Sequence, residues 1–208
     1  MCNLYNNSTT QEAMRQLFVG LDDVAGNIQP GQVYPDQLAP IVRHGPDGLV
    51  LSKARWGMPT PKQFLKTSRD PGVTNVRNTA SPYWRRWLGP EHRCLVPLTS
   101  FAEPKGKGRG NQWFAHRDAG RPMFFAGIET RDWASVRKVK DGETTDDLFA
   151  FLTCDPNAEV APVHPKAMPV ILTDPDQIDM WLRAPWSTAQ ALQRPFADGD
   201  LRLVDDPV

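Results

Sequence analysis

The chain has 208 residues, 24 Lys/Arg set against 24 Asp/Glu, and an apolar fraction of 40%; a chain this long and this apolar folds around a sizeable core and is not intrinsically disordered. No stretch reaches the roughly 20 apolar residues of a membrane span, and no charged segment followed by an apolar one opens the chain, so a cytoplasmic protein is expected. Three cysteines (Cys2, Cys94 and Cys154), odd in number and far apart, exclude a disulfide framework and point to reduced thiols.

In chain order, residues 10–18 read as a capped amphipathic helix with Met14, Leu17 and Phe18 on its apolar side. Residues 25–47, rich in Gly, Pro and Asp, read as irregular loop. Strand-like runs follow at 49–51, 94–97, 112–116, 123–128, 148–153 and 169–172. Ser81-Pro82 starts a helix over 83–88, and Asp174-Pro175 starts another over 176–182. A third short helix is expected at 188–193. Strands outnumber helices, no βαβ alternation is visible, and 20 prolines favour many short elements. These signs predict a single α+β domain over residues 2–208, with a twisted, largely antiparallel, barrel-like β core and short flanking helices.

Neutrality conceals a segregation of charge. Residues 61–140 hold 16 Lys/Arg against 6 Asp/Glu, whereas residues 141–208 hold 4 against 13. Such a chain presents a basic face to a polyanion while staying neutral overall. Trp84, Trp87, Trp113 and Trp133 lie within the basic third, as base stacking beside phosphate contacts requires. The basic runs at Lys105-Gly-Lys-Gly-Arg109 and Arg137-Lys-Val-Lys140 read equally well as solvated loops.

Cys2 is the most informative single position. Residue two is small, so removal of Met1 is expected, which leaves an α-amine and a thiol on adjacent carbons. Their reference pKa values, about 7.7–8.0 and 8.5, leave both partly deprotonated near neutral pH. An aldehyde meeting this 1,2-aminothiol forms an imine and then a five-membered thiazolidine. An amide or ester meets a thiolate whose own amine serves as base. Such a nucleophile needs proton carriers and oriented hydrogen-bonding groups. Three segments offer them. Asn75 and Arg77 share an extended run and face one way by its two-residue period. Glu103 is delivered by a strand and a short loop into apolar company, where desolvation raises a carboxyl's pKa. His164 precedes a buried-looking strand and a proline turn, where a histidine is either structural or a held imidazole.

In this order, Met1-Cys2, Trp56-Gly-Met-Pro59, Asn75-Val-Arg77, Arg93-Cys-Leu-Val-Pro97 with Phe101-Ala-Glu103, Phe125-Ala-Gly-Ile128, Phe151-Leu-Thr153 and His164-(x)3-Met-Pro-Val-Ile-Leu172 resemble the SRAP (SOS response-associated peptidase) family over roughly residues 2–182. The resemblance implies one α+β domain around a barrel-like β core. It also implies loss of Met1, binding of single-stranded DNA, and capture of abasic sites as a thiazolidine on the terminal cysteine. Cys2 is then the nucleophile, and Asn75, Glu103 and His164 match the family's other active-site positions. Arg77, Arg85, Arg86 and Thr153 are the expected DNA contacts. Autopeptidase or hydrolase activity of the Cys2 thiol and a weak lyase side reaction at abasic sites follow from the same chemistry. Neither cofactor, metal nor membrane is called for, and a monomer that joins the nucleoid when acting on DNA is expected. The sequence departs from the family pattern at Asn3 and Leu4 after Cys2, at Ala102 and Pro104 around Glu103, at Thr79, and in Pro165-Lys-Ala167 after His164. Two other classes stay open: an N-terminal-nucleophile cysteine amidohydrolase, and a noncatalytic DNA-binding or zinc module, for which Cys2, His92, Cys94 and Cys154 are too scattered. Cys94 and Cys154 read as small core residues.

Overall fold

Residues 2–208 are described by a computed structural model. Short strands dominate it, as the prolines require. They are β1 (Tyr5–Asn7), β2 (Asp22–Asp23), β3 (Gly31–Val33), β4 (Leu38–His44), β5 (Leu49–Trp56), β6 (Asn75–Val76), β7 (Arg93–Leu98), β8 (Ser100–Pro104), β9 (Asn111–His116), β10 (Met123–Lys138), β11 (Gly142–Cys154), β12 (Met168–Pro169), β13 (Ile171–Leu172) and β14 (Leu201–Val204). The helices are α1 (Gln11–Leu17), α2 (Pro175–Arg183) and α3 (Trp186–Ala189). Thr10 caps α1 by accepting from the Ala13 amide, and Asp174 caps α2 by accepting from the amides of Asp176 and Gln177.

Five strands close a barrel. β4 pairs antiparallel with β5 and β7, β7 with β10, and β10 with β11; β11 then returns to β5 in parallel through Leu148↔Arg55 and Phe149↔Trp56. Closure leaves these strands no open edge along the circuit. A second sheet, ordered β14-β9-β8-β1-β3, packs on the barrel through Tyr5 of β1. The Tyr5 ring meets Trp56 edge-on at 5.2 Å and Phe125 at 5.5 Å, contacts worth about 0.5–1.5 kcal/mol each beyond their burial. The α+β class and barrel-like core are therefore as expected. No described helix is long and apolar enough to cross a membrane.

Local expectations fail where long-range pairing overrides them. Residues 25–47 are not irregular throughout: they contain β3 and the seven-residue β4. β4 tolerates Pro40 because its pairing with β7 covers only Val42 and Arg43, leaving a side on which a missing N–H does no harm. The helix expected at 83–88 is a single 3-10 turn, Arg85–Trp87. Its three-residue period sets Trp84 and Trp87 side by side at 5.7 Å, both buried. Cys94 and Cys154 are buried, as read; the Cys94 sulfur lies so close to Gly127 that an alanine Cβ there would meet it at 2.6 Å.

Acids of the last third reach arginines from earlier in the chain: Asp155 pairs with Arg77 of the basic segment, while Asp147 and Asp146 pair with Arg43 and Arg55 of the first 60 residues. Arg137 is buried rather than part of a solvated basic run, and donates to the Gly57 carbonyl. Beneath it Gly57 and Gly72 touch, both at positive φ (147° and 78°), and a Cβ on Gly72 would lie 2.9 Å from the Gly57 Cα. The 105–110 loop joining β8 to β9 is exposed. Of the four tryptophans of the basic third, Trp84, Trp87 and Trp113 are buried, and Trp133 alone is partly exposed.

Candidate active site at Cys2

The chain immediately before β1 is threaded between two other segments. The Leu4 carbonyl accepts from the Ala102 amide at 3.0 Å, which ties this segment to β8. On the other side Asn75 Nδ2 donates to the Cys2 carbonyl oxygen at 2.8 Å and to Thr74 Oγ1 at 2.8 Å, while Thr74 Oγ1 donates to Asn3 Oδ1 at 3.1 Å. Asn75 is itself held by β6, which pairs in parallel with β11 through Phe151↔Asn75. The Trp56 indole donates to the Thr74 carbonyl at 3.0 Å, linking this anchor to the barrel.

Cys2 is fully buried. Its thiol donates to the Leu4 carbonyl at 3.5 Å. Burial pushes the thiol far above its ordinary pKa, and the carboxylate of Glu103 pushes it further. This corrects the expectation of a partly ionised thiol: at neutral pH the sulfur is protonated. The removal of Met1 concerns a residue outside those described.

Glu103 sits on strand β8, opposite Gln112 of β9, and not on the loop expected from sequence. It is fully buried, and burial pushes its carboxyl up to about 7. A carboxyl so placed exchanges protons near neutral pH. Its Oε2 lies 3.6 Å from Nδ1 of His164. The same Nδ1 lies 2.7 Å from the Ala167 carbonyl oxygen. A carbonyl oxygen only accepts, so in this arrangement Nδ1 carries the ring proton. The turn preceding His164 is built by Asn157, whose side chain accepts from the Val160 amide at 3.1 Å; the His164 amide donates to the Val160 carbonyl at 2.8 Å. The Pro165-Lys-Ala167 stretch is thus the loop that brings the Ala167 carbonyl back onto the imidazole.

Cys2, Asn75, Glu103 and His164 therefore converge from four distant stretches of chain. The expected DNA contacts are placed differently. Arg77 Nη2 pairs with Asp155 at 2.5 Å on the surface. Thr153 is 2% exposed at the β11–β12 pairing. Arg85 donates to the Ala80 carbonyl at 3.4 Å, and Arg86 lies over the Trp87 ring at 4.0 Å. None of these four makes a hydrogen bond or ion pair with the Cys2 cluster. Sequence reasoning did not single out Thr74, although it precedes Asn75 directly. It also missed Gln193, whose amide donates to the carbonyls of Arg77 (2.8 Å) and Thr153 (3.0 Å) and whose Oε1 accepts from Thr79 Oγ1 at 2.8 Å. No local pattern marks a glutamine with that job. Among the described residues no group of three His, Cys, Asp or Glu is disposed to hold a metal ion.

Residues 1–205 match the family described as SOS response associated peptidase (SRAP), and the chain belongs to that family. The family's description associates it with the SOS response to DNA damage. Its fold is shared with a solved protein from Bordetella bronchiseptica at 22% identity and a TM-score of 0.76, with both chains covered completely. A protein from Bacteroides thetaiotaomicron is similar at 19% identity and a TM-score of 0.72, over 96% of this chain and 90% of that one. A phage-related protein from Bordetella bronchiseptica is similar at 19% identity and a TM-score of 0.69, over 98% and 93%. No curated protein matches the sequence.

Proposed function

We propose that the protein captures abasic sites in single-stranded DNA as a covalent adduct of Cys2. The observation that carries this reading is the clustering of Cys2 with three polar groups: Asn75 on its carbonyl, Glu103 close enough to raise its thiol's pKa, and His164 beside Glu103. With Met1 removed, the Cys2 amine attacks C1′ of the ring-opened abasic sugar. Loss of water gives an imine. The thiol then adds across the C=N bond, sulfur to carbon and its proton to nitrogen, closing a thiazolidine. Net, one water leaves.

The protonated thiol orders these steps. A sulfur held neutral by burial is no competitor for the aldehyde, so the amine attacks first. Glu103, with its carboxyl near 7, takes the proton of the attacking amine and later that of the thiol, and returns one to the ring nitrogen. As the closed hemiacetal opens, Nε2 of His164 takes the anomeric hydroxyl proton and passes it to the sugar ring oxygen, its Nδ1–H staying on the Ala167 carbonyl. Asn75 fixes the Cys2 carbonyl and with it the position of the amine. Ring closure removes the imine from which β-elimination would cut the strand, so lyase activity is a side reaction. Attack of the same thiol on the Met1 carbonyl carbon, followed by hydrolysis of the thioester, is the autopeptidase counterpart.

Intact-protein mass spectrometry before and after incubation with a single-stranded oligonucleotide carrying one abasic site tests this directly. The expected result is a chain lacking Met1 that gains the oligonucleotide mass less one water, and a Cys2→Ala variant that does not. A stable adduct of normal yield on Cys2→Ala sinks the mechanism.

A further inference from the structure

Away from Cys2, the structure carries a second feature that the chemistry above does not use. A cavity of about 540 Å³ opens on the surface between Pro61, Lys62, Pro82, Tyr83, Arg86 and Trp133. That volume falls within the roughly 300–1,000 Å³ typical of small-ligand sites. No carboxylate lines it; the nearby Asp70 is buried and already accepts from Thr60 and Gly72. Arg86 lies 4.0 Å from the Trp87 ring centre, 5.1 Å from Tyr83 and 5.6 Å from Trp133, and forms no ion pair among the described residues. A guanidinium held by three aromatic faces keeps its charge and has its position fixed.

Trp133 reaches this place through an irregularity of β10. The pairing of β10 with β11 slips between Thr130 and Trp133, and Asp132 there adopts the left-handed region at φ 49°. Such a bulge re-aims the side chain that follows it. Trp133 is thereby set edge-on to the buried Trp87 at 6.0 Å, forming one wall of the cavity. One side of the indole packs against the core, and the other is left partly exposed to line the cavity. The floor is also coupled to the Cys2 framework: the Tyr83 hydroxyl donates to the Pro59 carbonyl at 2.8 Å, three residues beyond Trp56, whose indole holds the Thr74 carbonyl.

We propose that this cavity is a stacking subsite for one unpaired nucleotide of a single strand, its base against Trp133 and Tyr83 and its phosphate toward Arg86 and Lys62. The proposal rests on the reading that the protein binds single-stranded DNA, and adds to it where a nucleotide remote from the reacting sugar is gripped. Flat rings lined by prolines, with a fixed cation and no acid, match a base and its phosphate better than an acidic peptide, which has charge but no stacking face.

The test uses the full chain and an undamaged oligothymidylate, so that no covalent step intervenes. Titration should quench tryptophan emission, and Trp133→Ala should weaken binding about tenfold and remove most of the quench, with Trp133→Phe restoring most of the affinity. Lys62→Glu, on the exposed rim where folding is not at stake, should weaken binding and lessen its salt dependence. Unchanged affinity in both Trp133→Ala and Lys62→Glu overturns the subsite, as does polyglutamate displacing the oligonucleotide at equal charge concentration. The two readings fail separately. Binding that depends on Trp133 and Lys62 without any adduct on abasic DNA leaves the subsite standing and removes the covalent chemistry. An adduct whose formation accompanies binding independent of both residues does the reverse, and no binding of oligothymidylate at all overturns the subsite.

Discussion

Asn75 Nδ2 lies 2.8 Å from the carbonyl oxygen of Cys2, so the residue proposed to carry the reacting amine is gripped by its own backbone. This bond leaves the amine and sulfur to the substrate while fixing where both stand. Asn75→Ala should slow adduct formation on abasic DNA, and Asn75→Asp should slow it more, because a carboxylate would face the carbonyl oxygen it now binds. The direct stability loss should be small, about 1 kcal/mol for the hydrogen bond. Time courses of crosslinking beside thermal unfolding separate the two effects; equal rates in both variants and wild type would show the anchor to be irrelevant.

Glu103 and His164 are assigned to different atoms and should therefore fail differently. His164→Ala should slow both formation and release of the adduct, since opening and re-closing the sugar use the same proton at the ring oxygen. Glu103→Gln should chiefly slow imine formation and suppress strand scission. Each loss is expected within the range of about 10²–10⁴ in rate typical of general acid–base catalysis. Formation followed by release into excess competing abasic DNA measures both. If His164→Ala moves neither rate, its imidazole is a structural plug.

The carboxyl of Glu103 also ties stability to pH. Its pKa rises on folding from the ordinary 4.5 to about 7, so between those values the folded chain binds the extra proton. The stabilisation this represents is fully present below about 4.5 and is lost as pH rises through about 7, on the order of 3 kcal/mol in all. Glu103→Gln, which stays neutral, should therefore unfold at a higher temperature than wild type at pH 8. The advantage should shrink towards pH 5. A constant difference between the two proteins across that range contradicts the assignment.

Asp155 occupies the guanidinium that the proposed function would give to a phosphate. If Arg77 meets DNA, the pair must open, and Asp155→Asn should tighten binding of single strands while steepening its salt dependence by about one counterion. The pair is exposed, so little stability should change. Filter binding at several salt concentrations decides; no change in affinity would mean that Arg77 stays on its own side of the interface.

What the sequence disclosed and what it hid divide along the range of the interactions. Helices α1 and α2 announce themselves through Thr10 and Asp174, because a cap is a contact of three residues. The cores of β7, β9, β10 and β11 are legible as apolar runs. β4 is obscured by Pro40 and by flanking turn residues, and its pairing with β5 and β7 is written nowhere locally. Glu103 looks like a loop residue because β8 is five residues long and ends in Pro104. The same limit applies to the site. The four residues stand out by type and order, yet the burial of Cys2, which reverses the expected ionisation of its thiol, depends on the threading of residues 2–4 between β8 and β6. The basic third reads as a face because sequence counts charges without placing them; in the fold Asp155 covers Arg77, Arg137 is buried, and Trp84, Trp87 and Trp113 turn inward.

That threading has a consequence for the order of folding. The segment around Cys2 is held by Asn75, 73 positions further along the chain, and by Ala102, further still. Closing loops of that length costs chain entropy that no local turn offsets, so the burial of Cys2 waits on β6 and β8 reaching their places. Until they do, the Cys2 thiol stands in water, and the contacts that raise its pKa are among the last to form.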